Sequence, residues 1–401
     1  MDFHLHGGSP SSSTTSTTSP HPPPNQNGNS SADPMHSWWE SISKARSRIH
    51  LLSSLLPEDQ DNLSLSSLAD TDRPARSLLL SSTAYSSLSA ALSSPYSGSS
   101  DDPLCHWLYD TYLSSDADLR LVVLSYLPLL SAVYLHRIHH HPSNPHNPVS
   151  LSGFEAVLLA LYSSETKARN GKPITISIPD LSQPSLYHSP RNAKSSNPNS
   201  SSKPNSSVGV FSPPLEPQIA VKSTKRACIV GVALDCYYKQ ISQMPSWSKL
   251  DFCKFAAVWA GRDCPCTSDF DQDFGNGFRD NENEVDDIEI VTERVRDLDI
   301  EDARIPLPWE LLQPVLRILG HCLLGPLNID EVKDAASVAV RHLFARASHD
   351  LVPQAILATR SLIQLDRRAR EAAKMLAANG SSSNVNTPSK AKKPEILLVS
   401  K

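Results

Sequence analysis

His136, His139, His140 and His141 stand together in this chain, with His146 close behind. His136 and His140 are four residues apart, the spacing at which one helix face presents two imidazoles to a metal. No carboxylate shares that face, and Pro142 ends the helix at once. The cluster therefore reads as a solvated loop over 139–148 rather than a metal centre. Cys264-Pro265-Cys266 has one intervening residue where zinc knuckles and redox pairs use two. No second Cys/His pair follows at zinc-ribbon spacing, so it reads as a structural turn. Carboxylates crowd residues 269–302, but nothing there promises the burial that would raise a pKa for acid–base work. Gly275 and Gly277 lie in that stretch without the rest of a calcium-loop pattern. The sequence has no GxGxxG, no Gly-rich phosphate loop, no HExxH and no nucleophile elbow. The expectation is a chain without catalytic, cofactor-binding or metal residues, which favours a scaffold or adaptor over an enzyme.

Modification is the remaining chemistry. Ser9, Ser19, Ser189, Ser212 and Thr387 each precede a proline, as does Ser94, and are candidate proline-directed phosphorylation sites. All but Ser94 lie in or beside segments too polar to build a core.

The elements that surround these residues are mostly helical. Trp38, Trp39, Ile42, Ala45, Ile49 and Leu52 recur at spacings of three and four, one apolar stripe. Residues 63–94 repeat Leu-Ser-Ser and read as a weak amphipathic helix or helix pair. Asp102-Pro103 is an N-cap followed by a first helical residue, with Leu104, Leu108, Tyr112 and Leu113 on one face. Ser114-Ser115-Asp116 breaks that helix and caps another over about 117–138, which Pro128 should bend. A helix follows over 151–163. Ile174 to Ile178 alternates strictly between Pro173 and Pro179 and reads as a strand. Helices then run over 218–243, 248–259, 308–324, 328–347 and 351–376, the last ending in Arg367-Arg368-Ala369-Arg370.

Composition fits this picture. Of 401 residues, 39% are hydrophobic and 20% charged, both low for a chain that is packed throughout. Gly is scarce at 14 and Pro plentiful at 32, which suits helices separated by proline-punctuated loops. Residues 1–34 and 378–401 read as disordered tails, and 189–217 and 263–302 as disordered insertions in a helical domain over 35–377. The acidity is local: residues 269–302 hold 14 acidic and 3 basic side chains, while the whole chain is only −5. No global basic field draws the chain to nucleic acid. The N-terminus has no apolar signal-like run, and the seven cysteines are an odd count, which points to reduced thiols in the cytosol. Leu121 to Leu135 is uncharged but about five residues short of a bilayer span, so it reads as a buried helix.

Several of these residues also resemble a known family. Asp102-Pro103-Leu104-Cys105-His106, then Leu108-Tyr109 and Tyr112, then Leu124-Ser125-Tyr126-Leu127-Pro128 and Tyr134-Leu135, are similar to the first half of the hyccin family. Glu155-Ala156-Val157-Leu158-Leu159 and Tyr162 continue the likeness. It is strongest from Ile176-Ser177-Ile178-Pro179-Asp180-Leu181 through Ser182-Gln183-Pro184-Ser185-Leu186-Tyr187-His188. Met244-Pro245-Ser246 and Arg304-Ile305-Pro306-Leu307 also fit. The resemblance covers roughly 102–375. The Ser/Pro-rich head and the acidic insertion look more like plant versions of the family than animal ones.

The helical pattern reads as an all-α array of about ten amphipathic helices with one small β element, and the resemblance implies the same helical fold with a small β-hairpin. It further implies a non-catalytic subunit of the type III phosphatidylinositol 4-kinase alpha complex, supporting phosphatidylinositol 4-phosphate synthesis. Such a subunit packs on a tetratricopeptide-repeat scaffold protein and reaches the membrane through a palmitoylated anchor protein. The expected location is cytosol and plasma membrane, with indirect membrane association. The candidate contact region is Ile174, Ile176, Ile178, Leu181 and Tyr187, which otherwise would cover the protein's own core. The alternative function is direct binding of anionic lipid through basic helix ends. Neither tail offers much apolar area to bury. Deleting 1–34 and 378–401 should therefore move the melting temperature by less than about 2 °C in a calorimetric scan.

Overall fold

The computed structural model describes residues 34–56, 65–114, 116–140, 150–178, 207–261 and 304–381. Residues Met1–Glu40 and Ser41–Lys401 separate as two units. The described part of the first is the opening of α1 (Pro34–Leu55), where the Trp38 and Trp39 rings stand edge to face at 4.9 Å. Both rings are exposed, so the predicted apolar stripe is buried only from Ile42 onward, through Ala45, Ile49 and Leu52.

The remaining helices are α2 (Pro74–Leu80), α3 (Ser82–Ser93), α4 (Pro103–Leu113), α5 (Ala117–Ser125) and α6 (Leu127–His140). Then come α7 (Ser152–Arg169), the antiparallel pair β1 (Ile174–Ile178) and β2 (Ser207–Ser212), and α8 (Ser223–Lys239). The series ends with α9 (Ser246–Ala260), α10 (Trp309–Leu324), α11 (Asp330–His349) and α12 (Pro353–Ser381). The fold is all-α with one small hairpin. The helix α12 continues past the expected boundary at 377.

The uncharged run from Leu121 to Leu135 organises the packing. Every residue in it is buried. It forms two helices that meet at a 41° bend at Tyr126, just before Pro128. Proline lacks an amide hydrogen and clashes with the preceding turn, so the helix restarts with Pro128 in its first turn. The break frees carbonyls, and the Ser248 hydroxyl on α9 donates to the Ser125 carbonyl at 2.6 Å. Among the described residues no single helix is long and apolar enough to cross a membrane, and this bent pair is interior. The helix α6 is covered by α3, α8 and α9, and α5 by α2 and α4.

The C-terminal helices extend the same core. The helix α10 lies between α8 and α11, and α11 packs on α9 and α12. Gly231 permits the close approach of α8 to the start of α10, because a β-carbon there would stand 2.3 Å from the Glu310 carbonyl oxygen. Trp107, Trp259, Tyr126, Tyr237, Phe154 and Phe252 are fully buried. On α4 the expected face is Leu104, Leu108 and Tyr112, but Leu113 is exposed.

A polar clamp fixes the α3–α4 turn. Asp102 caps α4 by accepting from the Leu104 amide at 2.9 Å and also accepts from the Gly98 amide at 2.7 Å. Gly98 has φ +90°, and a β-carbon there would strike the Phe154 ring. Arg137 of α6 donates to the Ser94 carbonyl at 2.6 Å and to that of Ser97, with its guanidinium over Phe154. Replacing Asp102 with Ala removes the cap and strands the buried Gly98 amide. It should cost about 2–3 kcal/mol in urea unfolding, whereas Asp102→Asn should recover part of that.

Candidate interaction surface at the hairpin

Sequence residues 171–178 and 207–217 build the feature that stands furthest from an ordinary helical core. The register pairs Thr175 with Val210, Ile176 with Gly209 and Ser177 with Val208. A bulge between Ile174 and Thr175 lets Ile174 pair with Ser212, leaving Phe211 as the extra residue on β2. The bulge turns Phe211 toward the helices. The Arg317 guanidinium lies 4.4 Å from its ring centroid and 5.6 Å from that of Tyr238. The Gln313 amide of α10 donates to the Phe211 carbonyl at 3.4 Å.

The root is anchored on α7 as well. The Arg169 guanidinium donates to the Ser212 hydroxyl at 2.8 Å, and the Leu215 amide donates to the Gly171 carbonyl at 3.1 Å. Tyr162 donates to the Glu216 carbonyl at 2.8 Å, and Leu215 is buried. Behind these contacts Glu165 accepts from both Arg169 and Lys239. Asp235 pairs with Arg317 at 2.8 Å. The hairpin is thus pinned by two buried ion pairs and their hydrogen bonds.

Those charges do not share one titration behaviour. Burial alone would raise the Glu165 carboxyl, but hydrogen bonds from Lys239 and Arg169 outweigh it and hold it below the ordinary carboxylate value. Asp235 goes the other way: burial raises it further than Arg317 lowers it. Burial, reinforced by the Glu165 charge, pushes the Cys236 thiol up to about 12. Burial likewise raises Cys105, Cys228 and Cys253, so none of these four is an activated thiolate.

Beyond its root the hairpin faces outward. Ile176 is 46% exposed, Val208 67% and Val210 66%. Val208 and Val210 share one face with Thr175 and Ser177, and Ile176 lies on the opposite one. Both faces therefore show apolar side chains. Among the described residues each strand has the other as its sole partner.

Of the residues marked out in the sequence, Ile174 is half-buried at the root and Ile176 projects outward. Ile178 ends β1, and its side chain lies outside the described part, as do Leu181 and Tyr187 altogether. Val208, Val210, Phe211 and Leu215 were missed because 189–217 reads as a polar insertion. Residues 207–217 correct that reading: 207–212 form β2, and the return that follows is anchored by buried Leu215. The signal was the alternation Val208-Gly209-Val210, which its serine, glycine and proline neighbours dilute. Ser212 is also corrected. It is 7% exposed with its hydroxyl engaged by Arg169, and so is not in an open loop. Ser9, Ser19, Ser189 and Thr387 lie outside the described residues.

The other candidates are quickly placed. His136 is half-buried on α6, and the His140 side chain, like residues 141–149, lies outside the described part. Cys264 and Cys266 lie outside it too. Among the described residues no group of three or more His, Cys, Asp or Glu side chains stands together as a metal site. The basic run on α12 is partly spent inside the protein. Arg370 pairs with Asp366 at 2.9 Å and Asp334 at 2.7 Å, and Arg367 pairs with Glu371 at 2.9 Å.

Glu165→Gln tests the root. Its lowered folded pKa means that Glu165 stabilises the fold above the ordinary carboxylate range and loses that effect as pH falls through the folded value. Asp235, raised by burial, has the opposite sign and weakens the fold as pH rises past its folded value. The substitution should cost about 1–3 kcal/mol at pH 7, chiefly through buried Arg169, since Lys239 is half exposed. Chemical unfolding should show that gap narrowing below about pH 4. A gap independent of pH would detach the effect from the ion pair.

Comparison with known proteins agrees with the helical architecture just described. The family model for hyccin matches residues 69–395, more than half of the chain. The protein is a member of the hyccin family.

Proposed function

We propose that this protein is a non-catalytic adaptor of a phosphatidylinositol 4-kinase complex and helps bring that kinase to the plasma membrane. Membership of the hyccin family supports the adaptor role. The finer parts of the reading are a tetratricopeptide-repeat scaffold as direct partner, the alpha kinase as client and a palmitoylated protein as anchor. Membrane association is then indirect, and the protein works in the cytosol and at the membrane face.

The observation that carries the partner-binding part is the hairpin. A two-stranded ribbon is marginal in water unless it packs on something. Here the root is held by Arg169, Arg317 and Leu215, while Ile176, Val208 and Val210 stay exposed. A helical-repeat surface could cover those side chains and complete their burial. The alternative of direct lipid binding by basic helix ends has less support, because Arg367 and Arg370 already hold intramolecular acids.

Affinity purification from solubilised membranes tests this. The tagged wild-type chain should recover a tetratricopeptide-repeat protein and a lipid kinase. The double variant Ile176→Asp, Val208→Asp should lose at least about tenfold of the repeat protein, equivalent to 1.4 kcal/mol, with its melting temperature nearly unchanged. Recovery of neither protein by the wild type sinks the adaptor reading. Undiminished recovery by the variant moves the contact away from the hairpin.

A further inference from the structure

The first strand of the hairpin is nearly palindromic. Thr175 and Ser177 flank Ile176, then come Ile174 and Ile178, then Pro173 and Pro179. Each of these pairs is of one kind: a hydroxyl, an isoleucine, a proline. The run carries no charge. Edge strands are usually blunted by charges, prolines or bulges, and the five residues of β1 contain no charge and no proline.

The two edges of the ribbon differ. On β2 the bulge at Phe211 distorts the ladder, and Gln313 of α10 donates to the Phe211 carbonyl at 3.4 Å. Along β1, Thr175, Ile176 and Ser177 are exposed, and among the described residues no third strand pairs with it. Alternate residues of an antiparallel strand turn N–H and C=O away from the partner, so this edge offers main-chain donors and acceptors. The side chains point to the same edge. Ile176 stands opposite Gly209, which has no side chain, and Ile174 opposite Ser212. The strand β2 thus supplies neither with an apolar neighbour directly across, and Ile176 stays 46% exposed. An apolar side chain directly opposite Ile176 has to come from a strand on the other side of β1.

We propose that this edge is a self-association surface, on which β1 of a second copy pairs antiparallel about a two-fold axis at Ile176. The near-palindrome selects that occupant. Position 176 meets itself, 174 meets 178 and 175 meets 177, so isoleucine stands opposite isoleucine and hydroxyl opposite hydroxyl. A slip of one residue sets the isoleucines against Thr175 and Ser177 instead. Pro173 and Pro179, lacking an amide hydrogen, close the ladder at both ends. Two ribbons of two strands become one sheet of four, and a sheet of three or more strands is no longer marginal. A five-residue edge buries less than the ~1,200 Å² of a stable interface, so the dimer is weak and forms only at high concentration. The pairing is independent of the adaptor reading, and it leaves Val208 and Val210, on the opposite face from Ile176, open to another partner.

Sedimentation equilibrium of the full-length chain at low ionic strength tests the pairing. Between about 1 and about 200 µM the weight-average mass of the wild type should rise at least about 1.5-fold. Ile176→Lys and Ile176→Glu should each stay monomeric, because the two-fold axis sets like charges against each other. An equimolar mixture of the two variants should associate again, since lysine then meets glutamate. The side chain at 176 projects outward, so all three chains should share one melting temperature. A wild type that stays monomeric throughout that range overturns the proposal and leaves the edge to a different partner. Association that survives in either variant alone places the contact on another surface and overturns it. Failure of the mixture to associate rules out the two-fold register and overturns it as well.

Discussion

A stretch of fifteen uncharged residues, Leu121 to Leu135, has to be removed from water on every side. A helix that is apolar all round cannot sit at a surface, so other helices must enclose it. That requirement places α2 and α4 over α5, and α3, α8 and α9 over α6. The bend before Pro128 lets one stretch serve both groups. It also sets a polar demand in a dry place, which Ser248 meets at the Ser125 carbonyl, with the Tyr237 hydroxyl 3.1 Å from Ser248. The remaining helices extend this nucleus: α10 covers α8, α11 covers α9, and α12 closes over α10 and α11.

Apolar burial alone does not fix where the connections go. Two arginines supply that information. Arg137 reaches from the central helix to the carbonyls of the α3–α4 turn, and Asp102 holds the same turn from the other side. Arg169 reaches from the end of α7 to β2, with Glu165 neutralising it on the same helix four residues back. A buried guanidinium with fixed acceptors is costly to misplace, so each clamp penalises alternative loop paths more than it adds to net stability. The two sites use the same device on successive helices, α6 and α7.

The helices were legible because their signals are local. Asp102-Pro103 and Asp116 announce helix starts, and both aspartates accept the expected capping amides. Pro128 announces the bend. Other features depend on partners distant in sequence and left weak traces. The exposure of Trp38, Trp39 and Leu113 could not be read from spacing, because a stripe says which residues align and not how far the neighbouring helix extends. The strand β2 pairs with β1 across an intervening segment, and its residues fit a strand only once β1 supplies the register. Ser212 read as an open Ser-Pro site for the same reason: nothing local foretells that Arg169 will hold its hydroxyl.

The hairpin and α12 differ in what their exposure costs. The hairpin owes its place to its root, since Phe211, Ser212 and Leu215 make the contacts while Ile176, Val208 and Val210 make few. Polar side chains at those outer positions would leave Arg169 and Arg317 undisturbed, because these clamps hold Ser212 and Phe211. Valine and isoleucine exposed on a two-stranded ribbon carry an aggregation hazard. An isolated monomer gains nothing from that hazard, whereas a subunit that is normally covered turns it into affinity. On α12 the exposed leucines are diluted by Ser361, Arg368 and Ala372, so their exposure costs less. Under the adaptor reading, the hairpin's firmly rooted apolar ribbon is the surface that a partner would cover.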